Sequence, residues 1–323
     1  MNSLFRWYEK RKWLTKVMGV QLRPPIFVLG HWRSGTTHVH NLLAVDQRFA
    51  YPNLYQVLFP HTFLCTERHS RPLRFFLEKR RPLDSMAQDL HLPNEDEVAL
   101  GVSTCLSPYM GVIFPRRREY YDRYLTFQGV PDEDIRAWKA AFTLFLKKLT
   151  WKYDRPIILK SPPHTCRIRL LLELFPDAKF VHIHRNPYTV FQSTEHSYKV
   201  ALRWWGLQKP DLSDLTSYII RRYKAMYDIF FAEKELIPSD NFHEVSMEEV
   251  EGDPIGQMRT LYEKLHLPDF NVVEPVLWQY VESLGDYKKN KYPELPGELR
   301  CVISKAWERC FDEWHYSPNL SQN

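Results

Sequence analysis

An α/β fold, a parallel sheet flanked by helices, is predicted by three features of the sequence. Short strand-like runs recur at Ile26-Phe27-Val28-Leu29, Pro156-Ile157-Ile158-Leu159-Lys160 and Lys179-Phe180-Val181-His182-Ile183-His184, mostly apolar as strands buried on both faces must be. Each leads into a turn and a helical pattern rather than into a hairpin. The composition, 44% hydrophobic and 26% charged over 323 residues, excludes a disordered or fibrous chain. Sheets of this kind absorb such a length in one unit. Residues 1–323 are therefore expected to form a single domain, with an insertion over about 50–130.

Taken in order, the first strand is entered through Arg23-Pro24-Pro25 and left through a loop from Gly30 to Gly35, after which Thr36 to Val45 reads as a helix. The second strand, Pro156 to Lys160, precedes a helix from about Thr165 to Phe175 whose apolar face is Ile168, Leu171, Leu172 and Phe175. The third strand, Lys179 to His184, runs into Asn186-Pro187, an N-cap with Pro at the first helical position. A fourth strand is expected near Phe242 to Ser246. Two long helices are marked by Ile135, Trp138, Phe142, Phe145 and Leu149, and by Leu215, Ile219, Met226 and Phe230. Residues 50–130 are rich in Pro and aromatics and do not repeat the strand–helix pattern. They are expected to build a pocket over the sheet.

Several function classes are excluded early. Five Cys, at 65, 105, 166, 301 and 310, include no Cys-x-x-Cys pair, so neither a disulfide framework nor a Cys-based zinc site is expected. There is no signal-peptide pattern at the N-terminus and no apolar run long enough to span a membrane, so a soluble, cytoplasmic protein without stable membrane insertion is expected. Leu4, Trp7, Tyr8 and Leu14 among lysines suit an amphipathic helix touching a membrane. A terminal helix packed on its own domain is the favoured reading. The net charge of +5 is spread over 44 basic and 39 acidic residues, and the longest basic run is Arg116-Arg117-Arg118. That argues against nucleic acid and for a small polyanionic ligand.

The chemistry gathers at Gly30-His31-Trp32-Arg33-Ser34-Gly35-Thr36-Thr37, between a strand and a helix. The spacing is that of a P-loop, whose amides and helix N-terminus converge on an anion. The Lys that nucleoside triphosphatases place on the phosphates is here Thr36, and a cation stands inside the loop as Arg33. With no apolar strand ending in an Asp to hold Mg²⁺, metal-assisted phosphoryl transfer lacks two of its parts.

Gly-x-x-Arg-Ser-Gly-Thr-Thr after a strand resembles the 5′-phosphosulfate loop of sulfotransferases that use 3′-phosphoadenosine 5′-phosphosulfate (PAPS). In that family many cytosolic members carry Lys where this chain has Arg33, while tyrosylprotein and many bacterial members carry Arg. A second resemblance is Arg185 at a strand end, then Asn186-Pro187 and a helix with Ser193 eight residues after the Arg, which is similar to the family's 3′-phosphate motif. Arg offers phosphate a planar fork of donors. Further likeness, over about residues 24–300, lies in Lys160-Ser161-Pro162-Pro163-His164, in Phe175-Pro176-Asp177-Ala178-Lys179-Phe180 and in the acidic segment Pro93 to Leu100. Met247 stands where relatives often have an aromatic against adenine. Gly285-Asp286-Tyr287-Lys288-Lys289-Asn290 resembles the late basic loop that closes on the 3′-phosphate. The resemblance thus implies a P-loop-type sheet, PAPS as donor and PAP (3′-phosphoadenosine 5′-phosphate) as product. It also implies donor contacts from Arg33, Ser34, Gly35, Thr36, Thr37, Arg185, Ser193, Lys288 and Lys289, with no metal.

Sulfuryl transfer needs a base for the acceptor hydroxyl and positive charge for the leaving phosphate. Arg33 in the loop and Lys160 at a central strand end are the expected charge stabilisers. Glu95 is the favoured base, with Glu97, His164 and His31 as rivals. Asn94 caps a helix in this reading, and three consecutive acids then point in different directions, with one toward the cleft. His182 and His184 share a strand face, but no third ligand accompanies them, and they read as structural. The rival functions are a degenerate P-loop kinase, which would require Mg²⁺ and ATP, and a non-catalytic nucleotide binder. For the acceptor, Phe59, Phe63, Phe75, Phe76, Tyr109, Phe114, Tyr120, Tyr121, Trp204 and Trp205 suit a small-molecule site of hydrophobic character, for a sterol, steroid or lipid alcohol. A carbohydrate remains the alternative acceptor, and the sequence leaves the oligomeric state open.

Overall fold

The computed structural model describes residues 2–76, 78, 88–285 and 292–318. Four strands, β1 (Ile26–Leu29), β2 (Ile158–Lys160), β3 (Lys179–His184) and β4 (Phe242–Ser246), pair in the order β2-β1-β3-β4, all parallel. Every residue of β1 and β2 is buried, because helices cover both faces. Against one face Phe27, Leu29, Leu159 and Phe180 meet Phe142, Leu146 and Leu149 of the helix Asp132–Tyr153 and Tyr227 and Phe230 of the helix Leu215–Glu233. Against the other, Ile26, Val28, Val181 and Ile183 meet Val39, Leu42 and Leu43 of the helix Thr36–Ala44 and Met258 and Leu261 of the helix Pro254–Lys264. Side chains alternate across each strand, so neighbouring residues feed different cores.

The strand order decides where a ligand can sit. The chain leaves β1 toward β2 on one side, and leaves β3 toward β4 on the other. The carboxyl ends of β1 and β3 therefore flank the point where the connections diverge, the position at which open α/β sheets bind ligands. Gly30 follows β1 there and Arg185 follows β3.

Three boundaries depart from expectation. β2 begins at Ile158, not Pro156; Ile157 forms an isolated bridge with Ala50 instead. The helix expected from Thr165 starts at Ile168, because Pro162 and Pro163 open a 3₁₀ turn over Pro162–Cys166. The cap of the helix Asp96–Thr104 is Glu95 rather than Asn94. By contrast Asn186 does cap the helix Pro187–Trp205, accepting from the amides of Tyr188 and Thr189. The stretch 50–130 is a set of short helices, including Leu54–Leu58, Phe63–Thr66, Asp96–Thr104 and Arg118–Thr126.

Candidate active site

The loop after β1 is shaped by two glycines. Gly30 has φ of 141°, and a Cβ there would stand 2.4 Å from the carbonyl oxygen of Ile183. Gly35 has φ of 105°, and a Cβ there would stand 2.2 Å from Sδ of Met247. Both values belong to glycine, so the loop lies against β3 on one side and against Met247 on the other. Arg33 also has positive φ, 73°. Left-handed residues alternating with right-handed ones turn successive amides toward one concavity. Three contacts hold the entry: Gly30 N–H donates to Thr165 Oγ1 at 2.7 Å, His31 N–H to Tyr227 OH at 3.2 Å, and Ser34 Oγ to the His31 carbonyl at 2.8 Å. Thr36 and Thr37 occupy the first turn of the following helix, where amides have no intrahelical acceptor.

The two anion motifs meet directly. Arg33 Nε donates to Ser193 Oγ at 2.9 Å, and Tyr292 OH donates to the same oxygen at 3.2 Å. Ser193 lies on the helix that follows Arg185, so the bond ties the β1 loop to the β3 side of the switch point. Arg185 is half-buried and has no hydrogen bond or ion pair among the described residues. Lys288 and Lys289 lie outside the described residues.

The acidic triplet separates completely. Glu95 turns outward, one-fifth exposed, with Oε1 2.5 Å from Lys160 Nζ and Oε2 accepting from Tyr109 OH. Tyr109 OH in turn accepts from Trp32 Nε1 at 3.2 Å, so a chain of contacts runs from the anion loop through Tyr109 and Glu95 to Lys160. Burial, and then the neighbouring Glu95 carboxylate, push the Tyr109 phenol well above its ordinary range, which keeps it a donor. Asp96 turns inward to His164 Nε2 at 2.6 Å and Ser161 Oγ at 2.8 Å. Burial alone would raise the Asp96 carboxyl, but His164 and Ser161 outweigh it and hold the value below the usual range. Glu97 forms a bidentate pair with Arg167 at 2.6 and 3.1 Å, both side chains wholly buried.

These placements change the list of bases. His164 is fully buried among Phe27, Trp138 and Phe142, and Glu97 is closed off by Arg167, so neither faces a cleft. His31 is buried, its Nδ1 2.7 Å from the Trp32 carbonyl, and burial lowers its pKa to about 3. A histidine so weakly basic is a poor proton acceptor at neutral pH. Glu95 alone of the four is partly exposed beside the loop.

The aromatics named from the sequence fall in several places. Tyr109 stands at the site, Phe63 fills core against Phe145, and Phe114 stacks on Tyr121. Phe75 is 91% exposed, and Trp204 and Trp205 are about half exposed. A cavity of about 450 Å³ in the insertion is lined by Pro115, Arg116, Arg117, Arg118, Glu119, Tyr120 and Asp211, and so lies apart from the loop and from Glu95. Of the aromatics expected to line the pocket, Tyr109 stands beside Glu95, joined there by Trp32 of the loop. Trp32 carries a guanidinium over its face, Arg222 at 4.4 Å, a contact that no sequence spacing announces. His182 and His184 are taken up by Glu244 and by Tyr316 and Trp314, and no cluster of metal-ligand type occurs among the described residues.

A glycine-shaped loop at a topological switch point, with a second Arg across from it and a Lys–Glu pair alongside, has the geometry of a site for a phosphorylated or sulfated anion at the sheet edge. Comparison carries this to a family. The family model described as the sulfotransferase family matches residues 24–271, and the chain belongs to that family and is a transferase of the sulfotransferase class. Two curated proteins named omega-hydroxy-beta-dihydromenaquinone-9 sulfotransferase Stf3, from Mycobacterium bovis and Mycobacterium tuberculosis, are each 39% identical over 293 residues, 91% of this chain and 75% of theirs. The fold is shared with sulfotransferase STF9 from Mycobacterium avium (TM-score 0.76, 18% identity, 99% of this chain and 83% of that one). It is shared also with STF1 from Mycobacterium tuberculosis (TM-score 0.67, 17% identity, 95% and 81%).

Proposed function

We propose that this protein transfers the sulfuryl group of PAPS to the hydroxyl of a small hydrophobic acceptor, a lipid alcohol before a sterol or steroid. The observation that carries the proposal is the run of contacts Trp32–Tyr109–Glu95–Lys160, which sets a carboxylate and an ammonium beside an anion loop. Two features fit the donor. The first-turn amides of Thr36 and Thr37 have no intrahelical acceptor, and Arg185 has no partner among the described residues. Bound PAPS supplies the sulfuryl group and a phosphate that leaves with added charge.

The loop amides with Ser34, Gly35, Thr36 and Thr37 hold the 5′ end, and Arg185 with Ser193 holds the 3′-phosphate. Lys288 and Lys289 keep their proposed role in closing on that phosphate. Arg33 and Lys160 meet the charge that develops on the leaving oxygen. Glu95 takes the proton of the acceptor hydroxyl. Each carboxylate oxygen has lone pairs beyond the one that Lys160 or Tyr109 uses, so the acceptor hydroxyl can donate to Glu95 without breaking either contact. Tyr109 and Lys160 keep that carboxylate aimed, so the geometry exists before the acceptor arrives.

The acceptor class rests on two supports. Half-buried Trp32 and Tyr109 stand beside Glu95, which suits an apolar body with a single hydroxyl. The relatives at 39% identity are named for a hydroxylated menaquinone. Transfer of sulfur-35 from labelled PAPS to a panel of lipid alcohol, sterol, phenol and oligosaccharide tests the proposal. The highest kcat/KM is expected on the lipid alcohol, without added Mg²⁺. Higher values on the oligosaccharide overturn the acceptor class. ATP- and Mg²⁺-dependent phosphoryl transfer in place of sulfuryl transfer overturns the reaction.

A further inference from the structure

The helix Asn2–Met18 docks on the body through one face only. Glu9, Trp13 and Val17, spaced i, i+4, i+8, meet the helix Asp132–Tyr153: Glu9 pairs with Lys148, and Trp13 lies 6.1 Å from Trp151. The far side carries a second stripe, Leu4, Trp7, Arg11, Leu14 and Met18, at i, i+3, i+7, i+10 and i+14. Its apolar members are 71%, 59%, 38% and 52% exposed, and Phe5 and Tyr8 extend it along one flank. Lys10, Arg11 and Lys12 flank it, Arg6 and Lys16 stand nearer the docked side, and all five are exposed. The single acid of the helix, Glu9, is buried against Lys148. The outer surface of this helix is therefore apolar and cationic, with no negative charge to balance it.

We infer that this helix seats the protein on an anionic lipid bilayer, lying in the interface with Leu4, Trp7, Leu14 and Met18 among the acyl chains and the cations at the headgroups. The charge pattern chooses the occupant. A second copy would bring five exposed cations against five, whereas an anionic surface satisfies them and accepts the apolar stripe between them. Among the described residues no helix is long and apolar enough to cross a membrane, so the contact is parallel to the surface. The inference rests on the proposed lipid acceptor for its purpose, since such an alcohol resides in a bilayer, but its geometry stands without it.

Flotation of the full chain with vesicles tests it. With phosphatidylglycerol mixed into phosphatidylcholine, the protein floats, and binding falls as salt rises. Pure phosphatidylcholine retains much less. Replacing Leu4 and Trp7 together by Ser weakens binding about tenfold or more, and Lys10→Gln or Lys12→Gln weakens it about fivefold each. PAP affinity stays unchanged in all of these variants. Sulfation of an alcohol embedded in anionic vesicles falls in parallel, while sulfation of the same alcohol in detergent does not. A wild-type protein that stays in the supernatant with anionic vesicles overturns the inference. So does binding indifferent to these changes, or a dimer that dissociates on Trp7→Ser. If vesicle binding holds while no lipid alcohol is sulfated, the acceptor assignment fails and the docking surface stands.

Discussion

The proposed donor half of the site and the proposed acceptor half are built by different means. Around the loop, backbone sets the shape: Gly30 and Gly35 fix the curve, Thr165, Tyr227 and Ser34 only pin its entry, and Arg185 has no partner among the described residues. Around Glu95, side chains do the holding, and every one is engaged with another side chain: Lys160 and Tyr109 on Glu95, His164 and Ser161 on Asp96, Arg167 on Glu97. An anion cradle of amides tolerates change in its neighbours because peptide groups are always present. A side-chain lattice fails when one member is altered, since each partner is then left buried and unpaired.

Four substitutions sharpen that contrast. Arg167→Met leaves the Glu97 carboxylate buried without its partner and should cost about 3–5 kcal/mol of stability, measured by chemical denaturation; a cost below about 1 kcal/mol would mean that water reaches Glu97. Glu95→Gln should lower kcat about 10²–10⁴-fold while PAP affinity stays near wild type. If PAP affinity falls in step with kcat, Glu95 belongs to the donor half and the division drawn above is wrong. Arg185→Ala should weaken PAP by about 2–3 kcal/mol, as expected for a charge-assisted pair, and barely alter adenosine 5′-phosphosulfate, which lacks the 3′ group. Equal losses for the two ligands in calorimetry would remove Arg185 from the 3′-phosphate. The smallest effect belongs to Tyr109→Phe, which takes one donor from Glu95 and one acceptor from Trp32. It should reduce kcat about tenfold with little change in thermal stability, and an unchanged kcat would show that Lys160 alone aims the carboxylate.

The same contrast explains how far the sequence could be read. β1 and β3 fall where largely apolar runs predict them, β4 falls at its expected place, and the loop is legible because its glycines, Arg33 and threonines lie within eight residues. Asn186 was legible as a cap for the same reason, since its partners are its own neighbours. Asn94 looked equally good, yet the cap is Glu95: Asn94 Oδ1 accepts from the Glu95 amide at 2.8 Å, and Lys160 and Tyr109 draw the Glu95 side chain away from the helix end. Those partners lie 65 and 14 residues distant, and no local pattern marks them. The pairing of His164 with Asp96, 68 residues apart, was invisible for the same reason. Without it His164 reads as a free base beside Lys160. The Arg33–Ser193 bond, across 160 residues, joins two motifs that the sequence presents as separate.

Three adjacent acids with three different partners also fix the counting of residues at this point in the chain. An α-helix turns about 100° per residue, so inserting or deleting one residue among Glu95, Asp96 and Glu97 would offer each partner the wrong carboxylate. Arg167, Asp96's histidine and Lys160 would all lose their match together. The segment just before the triplet is held as well, since the carbonyls of Leu90 and Leu92 accept from the amides of Tyr55 and Leu54, Pro93 bridges to Asn53, and Leu90 lies in the core. Aligned sequences that keep the three pairings should show no gap within this triplet.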